Sequence, residues 1–346
     1  MDLIVRRARR RGDPALSDIG IEGGTIAAVE PAIAGYAGRE IDAGGRLVTP
    51  PFVNPHVHLD KALLGAVMRP NVSQTLQEAI EITWDFKRAY TEKDIVERAG
   101  AVLEMAVREG TLVVRSFADV GTVGGLMPVR GLLAAKARYR NLVKLEVVAF
   151  PQEDLAVTTL REGYAGRVSA SHCGALSSYN PTYAAKVIGL VKEAGITIVS
   201  NPHISLVLAG RRDAEPVRRG ITRVRELVRA GVNVASGQDD VDDPYYPFGR
   251  SSQLEVALFM AHAAHLTYPD ELETVFDMVT VNAARALRLP GYGLAPGDAG
   301  DLLVWDAAGV KEALARQRPP RHVVRGGAVV AQTTVTSELT ARIGEP

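Results

Sequence analysis

Between about residue 110 and residue 240 the chain alternates short apolar β-type runs with helical segments, and that alternation leaves few folds open. Strand candidates begin near Leu112-Val113-Val114, Leu145 to Phe150, Arg167 to Ala170, Ile196 to Val199 and Val232 to Ala235. Tyr183 to Glu193 and Val224 to Ala230 carry apolar residues at helical spacing. Strands that recur with helices between them are read as parallel, because a parallel pair needs a crossover and a helix is its usual form. Polar residues gather at the C-terminal ends of these runs, which is where a barrel of the triosephosphate isomerase type carries its chemistry.

The two ends of the chain have another texture. Leu3-Ile4-Val5, Ile19-Gly20-Ile21, Thr25 to Val29 and Gly45 to Val48 are short alternating strands with glycine-rich turns, and the pattern returns in Asp301 to Trp305 and His322 to Val330. We expect residues 1–49 and 296–346 to pair into one small β-sandwich, with residues 50–295 forming the barrel. No flexible linker separates them, so the two parts should pack together.

Composition narrows the function. Lys plus Arg and Asp plus Glu both number 40, which removes the basic bias of a nucleic-acid binder. The one basic cluster, Arg6-Arg7 and Arg9-Arg10-Arg11, precedes Gly12-Asp13-Pro14 and reads as a solvated hairpin. No run of about twenty uncharged apolar residues is present, and no charged-then-apolar signal opens the chain. Cys173 is the only cysteine, so no intrachain disulfide can form and a reducing, cytoplasmic location is expected.

The chemistry starts at Pro50 to Asp60, an apolar strand that delivers His56 and His58. Side chains at i and i+2 of a strand share a face, so both imidazoles converge on one point. Two such rings make half of a mononuclear metal site. The other strand ends add Asp119, Gln152 with Glu153, His172, His203, and Asp239 with Asp240. Three histidines and a carboxylate leave room on a divalent ion for water, and Asp239 suits a dual role as ligand and proton acceptor. Each residue alone has a plainer reading: His172 as a hydrogen-bonded core histidine, Asp239 as a cap or turn residue. Their recurrence at successive strand ends favours the site. His262 and His265, at i, i+3 spacing without a third partner, are read as surface or core residues, and His322 as structural.

These strings resemble the cytosine deaminase branch of the amidohydrolase superfamily. Pro51 to Asp60 looks like its first barrel strand, Val148 to Glu153 like its third, and Arg167 to His172 with Ser178-Tyr179-Asn180 like the strand whose histidine faces the active site. Arg218 to Val224 resembles the approach to the last helix before the metal-linked aspartate. Ser236 to Val241 with Asp243 to Pro247 resembles the last strand and its loop. The resemblance implies one divalent metal ion, often iron or zinc, on His56, His58, His172 and Asp239. It further implies a base at Asp239, Gln152 orienting a pyrimidine-like ring, and hydrolytic loss of ammonia. Asp240 and Tyr245 are the further substrate-side candidates, with Tyr245 or Tyr246 covering the ring from the final loop.

The chain departs from that pattern in three places. The family's His-x-x-Glu motif, which supplies another ligand and the acid that protonates the ring, has no counterpart between Glu153 and His172. A barrel of about 250 residues spends about 30 on each strand and helix, so roughly two βα units are expected to be absent and six barrel strands to remain. Open edges would then favour a homo-oligomer. Phe117 and Gln238 stand where the family often has histidine. The alternatives are a catalytically impaired remnant that binds a ligand or partner without turnover, and an amide or N-alkyl hydrolase of related rings.

Overall fold

The structure is a computed structural model that describes residues 1–151, 167–210 and 219–338. It opens with β1 (Leu3–Arg10), β2 (Leu16–Glu22), β3 (Thr25–Glu30), β4 (Arg39–Asp42) and β5 (Leu47–Thr49). β1 is broken at Arg7, whose φ of 52° accompanies a register shift between Val5 and Ala8. The break lets one edge of β1 pair in parallel first with β4 and then with β5. The arginines expected in a hairpin turn run mostly within β1 instead. They are ion-paired: Arg6 with Asp18 and Glu40, Arg7 with Asp42, Arg10 with Asp13, and Arg11 with Glu273 and Asp277. Alternation along a strand separates their side chains, so they form no continuous basic patch.

The central segment alternates strands and helices. β6 (Phe52–Val57) is followed by α1 (Leu76–Lys87) and α2 (Glu92–Arg108), β7 (Thr111–Val120) by α3 (Met127–Tyr139), and then comes β8 (Lys144–Pro151). β9 (Ser169–Ser171) leads to α4 (Pro181–Glu193), β10 (Thr197–Ser200) to α5 (Pro202–Leu208) and α6 (Val224–Arg229), and β11 (Val234–Ser236) to α7 (Gln253–Ala263), α8 (Pro269–Met278) and α9 (Val281–Ala286). Side-chain caps begin several of these helices. Thr75 accepts from Glu78 N at α1, Thr91 from Asp94 N at α2, and Asn180 from Tyr183 N, with Pro181 at the first turn of α4. Helix α2 buries Ile95, Ala99, Val102, Leu103 and Ala106, one stripe at helical spacing, against the sheet.

The described barrel strands form two parallel sheets, β6-β7-β8 and β9-β10-β11. They meet where β6 ends: Val57 bridges Asp239 in parallel, just past β11. Thus the first and last of these strands are neighbours, as they are in a sheet curling into a barrel. Among the described residues β8 pairs only with β7, and β9 only with β10.

The chain ends with β12 (Leu302–Val304), α10 (Val310–Arg316), β13 (His322–Arg325) and β14 (Ala328–Gln332). Strands from both ends share one sheet, in the order β14-β13-β12-β5-β1-β2-β3, with β4 also on β1. Aromatic rings form part of its contact with the central segment, beside the ion pairs of Arg11. Phe52 lies 5.5 Å from both Phe276 and Trp305, ring to ring, and Trp305 Nε1 donates to Thr49 Oγ1 at 3.0 Å. No helix among the described residues is long and apolar enough to cross a membrane.

Candidate metal centre

His56 and His58 leave β6 on one side, as the strand period requires, and both are buried. The end of β11 is tied directly to them. Asp239 N donates to His56 O, and His58 N donates to Asp239 O, each at 2.9 Å. This reciprocal pair sets the Asp239 carboxylate among the imidazoles: Oδ1 is 3.1 Å from His56 Nε2 and 3.5 Å from His58 Nε2, while Oδ2 is 3.4 Å from His172 Nε2. Asp239 and His172 are both non-glycine residues at positive φ, 67° and 64°. Such conformations persist only where their surroundings enforce them, and they cluster at functional sites.

The far side of each imidazole decides what Nε2 offers. His58 Nδ1 is 3.1 Å from the Phe117 carbonyl, which only accepts, so Nδ1 carries the proton. Burial, and then the neighbouring Lys61, hold His58 well below the ordinary histidine pKa, so its Nε2 presents a lone pair. His56 Nδ1 is 3.1 Å from Ser171 Oγ, which also accepts from Asn201 Nδ2 at 3.1 Å and is 3.5 Å from the Val199 carbonyl. Ser171 Oγ thus anchors His56 from behind at Nδ1, with donor and acceptor set by the imidazole tautomer. His56 Nε2 is buried without a directional hydrogen-bond partner among the described residues. Lone pairs facing a carboxylate repel it, and a cation between them turns the repulsion into ligation. His56, His172 and Asp239 bring one donor atom each within 4.8 Å of one another, as do His58, Asp239 and Asp240. The nitrogen and oxygen donors, with Nδ1 groups anchored behind them, therefore fit a divalent metal ion.

One wall is aromatic. The Phe117 ring lies 4.2 Å from that of His56, and Phe150 lies 5.8 Å from His58 and 5.7 Å from Phe117. These rings exclude water from one flank, while His172, its side chain 43% exposed, marks the open side.

Residues 144–331 match the profile of the Amidohydrolase family. A 5-methylcytosine deaminase from Klebsiella pneumoniae, solved with 5-fluorocytosine, is similar over 97% of this chain and 99% of its own, at 32% identity and a TM-score of 0.90. This chain belongs to the amidohydrolase family. An N-isopropylammelide isopropyl amidohydrolase from Pseudomonas sp. strain ADP is 25% identical over 408 positions, covering 96% of this chain and 98% of its own length. A pterin deaminase from Rhizobium rhizogenes is 27% identical over 91% of this chain and 87% of its own. An atrazine chlorohydrolase from Arthrobacter aurescens, similar in fold at 17% identity and a TM-score of 0.70, was solved complexed with zinc.

In this amidohydrolase the remaining strand-end residues separate. Asp119 pairs with Lys87 of α1 and donates its backbone N–H to Asp60 Oδ2 at 3.0 Å. His203 Nε2 lies 3.2 Å from Glu255 Oε1 in the packing of α5 on α7, apart from the other histidines. Asp240 meets Lys61 at 2.7 Å, and Tyr245 is buried with its ring beneath the Lys61 ammonium. Gln152, Glu153 and Arg218 lie outside the described residues. Sequence reasoning missed Ser171, Asn201 and Lys61. Ser171 adjoins His172 on a strand end, which is a usable signal; Asn201 and Lys61 acquire meaning only from neighbours distant in the chain.

Proposed function

We propose that this chain is a metal-dependent hydrolytic deaminase of cytosine or a related nitrogen heterocycle, using one iron or zinc ion. The observation that carries the proposal is the set of imidazoles around Asp239, with Nδ1 of His56 and His58 anchored behind. It is supported by the 32% identity to a 5-methylcytosine deaminase across nearly the whole chain.

His56, His58, His172 and Asp239 would hold the ion. The chemistry it supplies when bound is activation of water, whose pKa falls from about 16 to about 7. Asp239, held among the imidazoles by its reciprocal backbone bonds with His56 and His58, would accept the proton of the attacking water. Phe117 and Phe150 keep bulk water off one flank. Gln152 and Asp240 orient the ring, and Tyr245 closes the loop side.

The missing His-x-x-Glu motif bears on rate. A positioned acid contributes about 10²–10⁴-fold, so turnover is expected to be lower by that order, and in the limit the protein binds without turnover. A second reading, an N-alkyl hydrolase of related rings, is favoured by the N-isopropylammelide hydrolase relative. The test is zinc- or iron-loaded protein incubated with cytosine, 5-methylcytosine, pterin and N-isopropylammelide, with ammonia and isopropylamine measured separately. Ammonia from a cytosine supports the deaminase, isopropylamine supports the second reading, and neither product from metal-loaded protein supports the binding remnant.

A further inference from the structure

Three residues beyond His58, Lys61 is buried in the turn after the first barrel strand and meets the loop that follows β11. Its Nζ is 2.7 Å from Asp240 Oδ1, 3.8 Å from Asp243 Oδ2 and 3.7 Å from the centroid of the Tyr245 ring. Asp243 in turn organises the loop, since its Oδ1 accepts from Tyr245 N at 2.9 Å and Tyr246 N at 3.0 Å. Backbone bonds run alongside: Leu63 N to Val241 O, and Leu64 N and Gly65 N to Asp242 O. All four side chains, Lys61, Asp240, Asp243 and Tyr245, are less than a tenth exposed.

A buried charge cluster is a poor way to stabilise a fold. Desolvating each ion costs several kcal/mol, and apolar replacement of such clusters is often neutral or stabilising. Its location is more informative. Asp240 directly follows Asp239, which holds a left-handed backbone conformation that a non-glycine residue keeps only under constraint. Lys61 grips the residue after Asp239 from the turn that follows the strand delivering two of the imidazoles.

We propose that Lys61 is a positioning residue: its ammonium, set between Asp240 and Asp243 over the Tyr245 ring, holds the loop so that Asp239 faces the three histidines. This rests on the metal reading above. A partner that orients a ligand is worth about 10–100-fold in metal affinity, and Lys61→Met is expected to weaken zinc binding by that factor. Lys61→Arg, which retains the charge, should recover part of the loss.

The experiment is zinc affinity by competition with a chromophoric chelator, on full-length wild type, Lys61→Met, Lys61→Arg, Asp243→Asn and His56→Ala. Melting temperatures of the metal-free proteins are read in parallel. Thr91→Ala, which weakens the distant cap of α2, is the control for lost stability and should bind zinc as the wild type does. Weakened binding in Lys61→Met beyond that of the control, with partial recovery in Lys61→Arg, supports the proposal. Wild-type affinity in folded Lys61→Met overturns it while leaving the metal reading intact, because His56→Ala still loses zinc. Should Lys61→Met not fold, Asp243→Asn decides: weaker zinc binding supports the positioning role and unchanged binding overturns it. A wild type that takes up neither zinc nor ferrous iron overturns the metal reading, and this proposal with it.

Discussion

Gly237 sets how closely the end of β11 approaches His56. A Cβ there would sit 2.8 Å from His56 O, 2.9 Å from Asn201 Oδ1 and 2.9 Å from His56 Cβ. Backbone atoms cannot yield as a side-chain tip would. Gly237→Ala is therefore expected to cost about 1–3 kcal/mol, read as a lower urea midpoint, and to loosen the Asp239 clamp. Removing a donor has a different signature. His56→Ala should lower bound metal per chain, measured by elemental mass spectrometry, and unchanged stoichiometry would count against His56 as a ligand. The His-x-His pair was legible in the sequence because strand periodicity alone places both imidazoles on one side. Lys61 was not, since its partners lie some 180 residues away and no local pattern links them.

At the level of elements, the helices follow local chemistry closely. Thr91 before the apolar stripe of α2, and Asn180-Pro181 before α4, are start signals that the structure uses. Thr91→Ala should lower the stability of the protein by about 1 kcal/mol, visible as a shift in urea midpoint without a change in slope. The strand candidates at Leu112, Leu145, Arg167, Ile196 and Val232 coincide with β7 to β11. β4 escaped notice, because Arg39-Glu40-Ile41-Asp42 has a single apolar residue and owes its conformation to pairing with β1. Propensity is a weak guide where cross-strand bonding supplies the stabilisation.

For the whole molecule, the contact between the terminal sheet and the central segment runs in part through Trp305, Phe52 and Phe276. Truncating Trp305 to alanine removes the ring shared by both parts and the bond to Thr49, and is expected to cost about 3–5 kcal/mol by chemical denaturation. The barrel strands raise a second question of assembly. The alignment with the N-isopropylammelide hydrolase extends over 408 positions, more than the 346 residues of this chain, so that relative carries segments without a counterpart here. We propose that these segments include barrel βα units that this chain lacks. The outer edges of β8 and β9, which have no ladder partner among the described residues, would then favour association. Light scattering at micromolar protein is expected to give a mass above that of one 37.0 kDa chain, and a strict monomer would count against this.

What the sequence determined by itself was periodic or local: strand and helix order, helix caps, and the two imidazoles of one strand. Hydrogen bonding along a helix and alternation along a strand act over a few residues, so they leave a mark there. Which histidines share a carboxylate was decided by tertiary structure. His56, His172 and Asp239 are far apart in the chain, and His203, which reads much like them, is directed to Glu255 instead. Only the curling of parallel strands, which brings β6 beside the end of β11, places those groups within reach of one another.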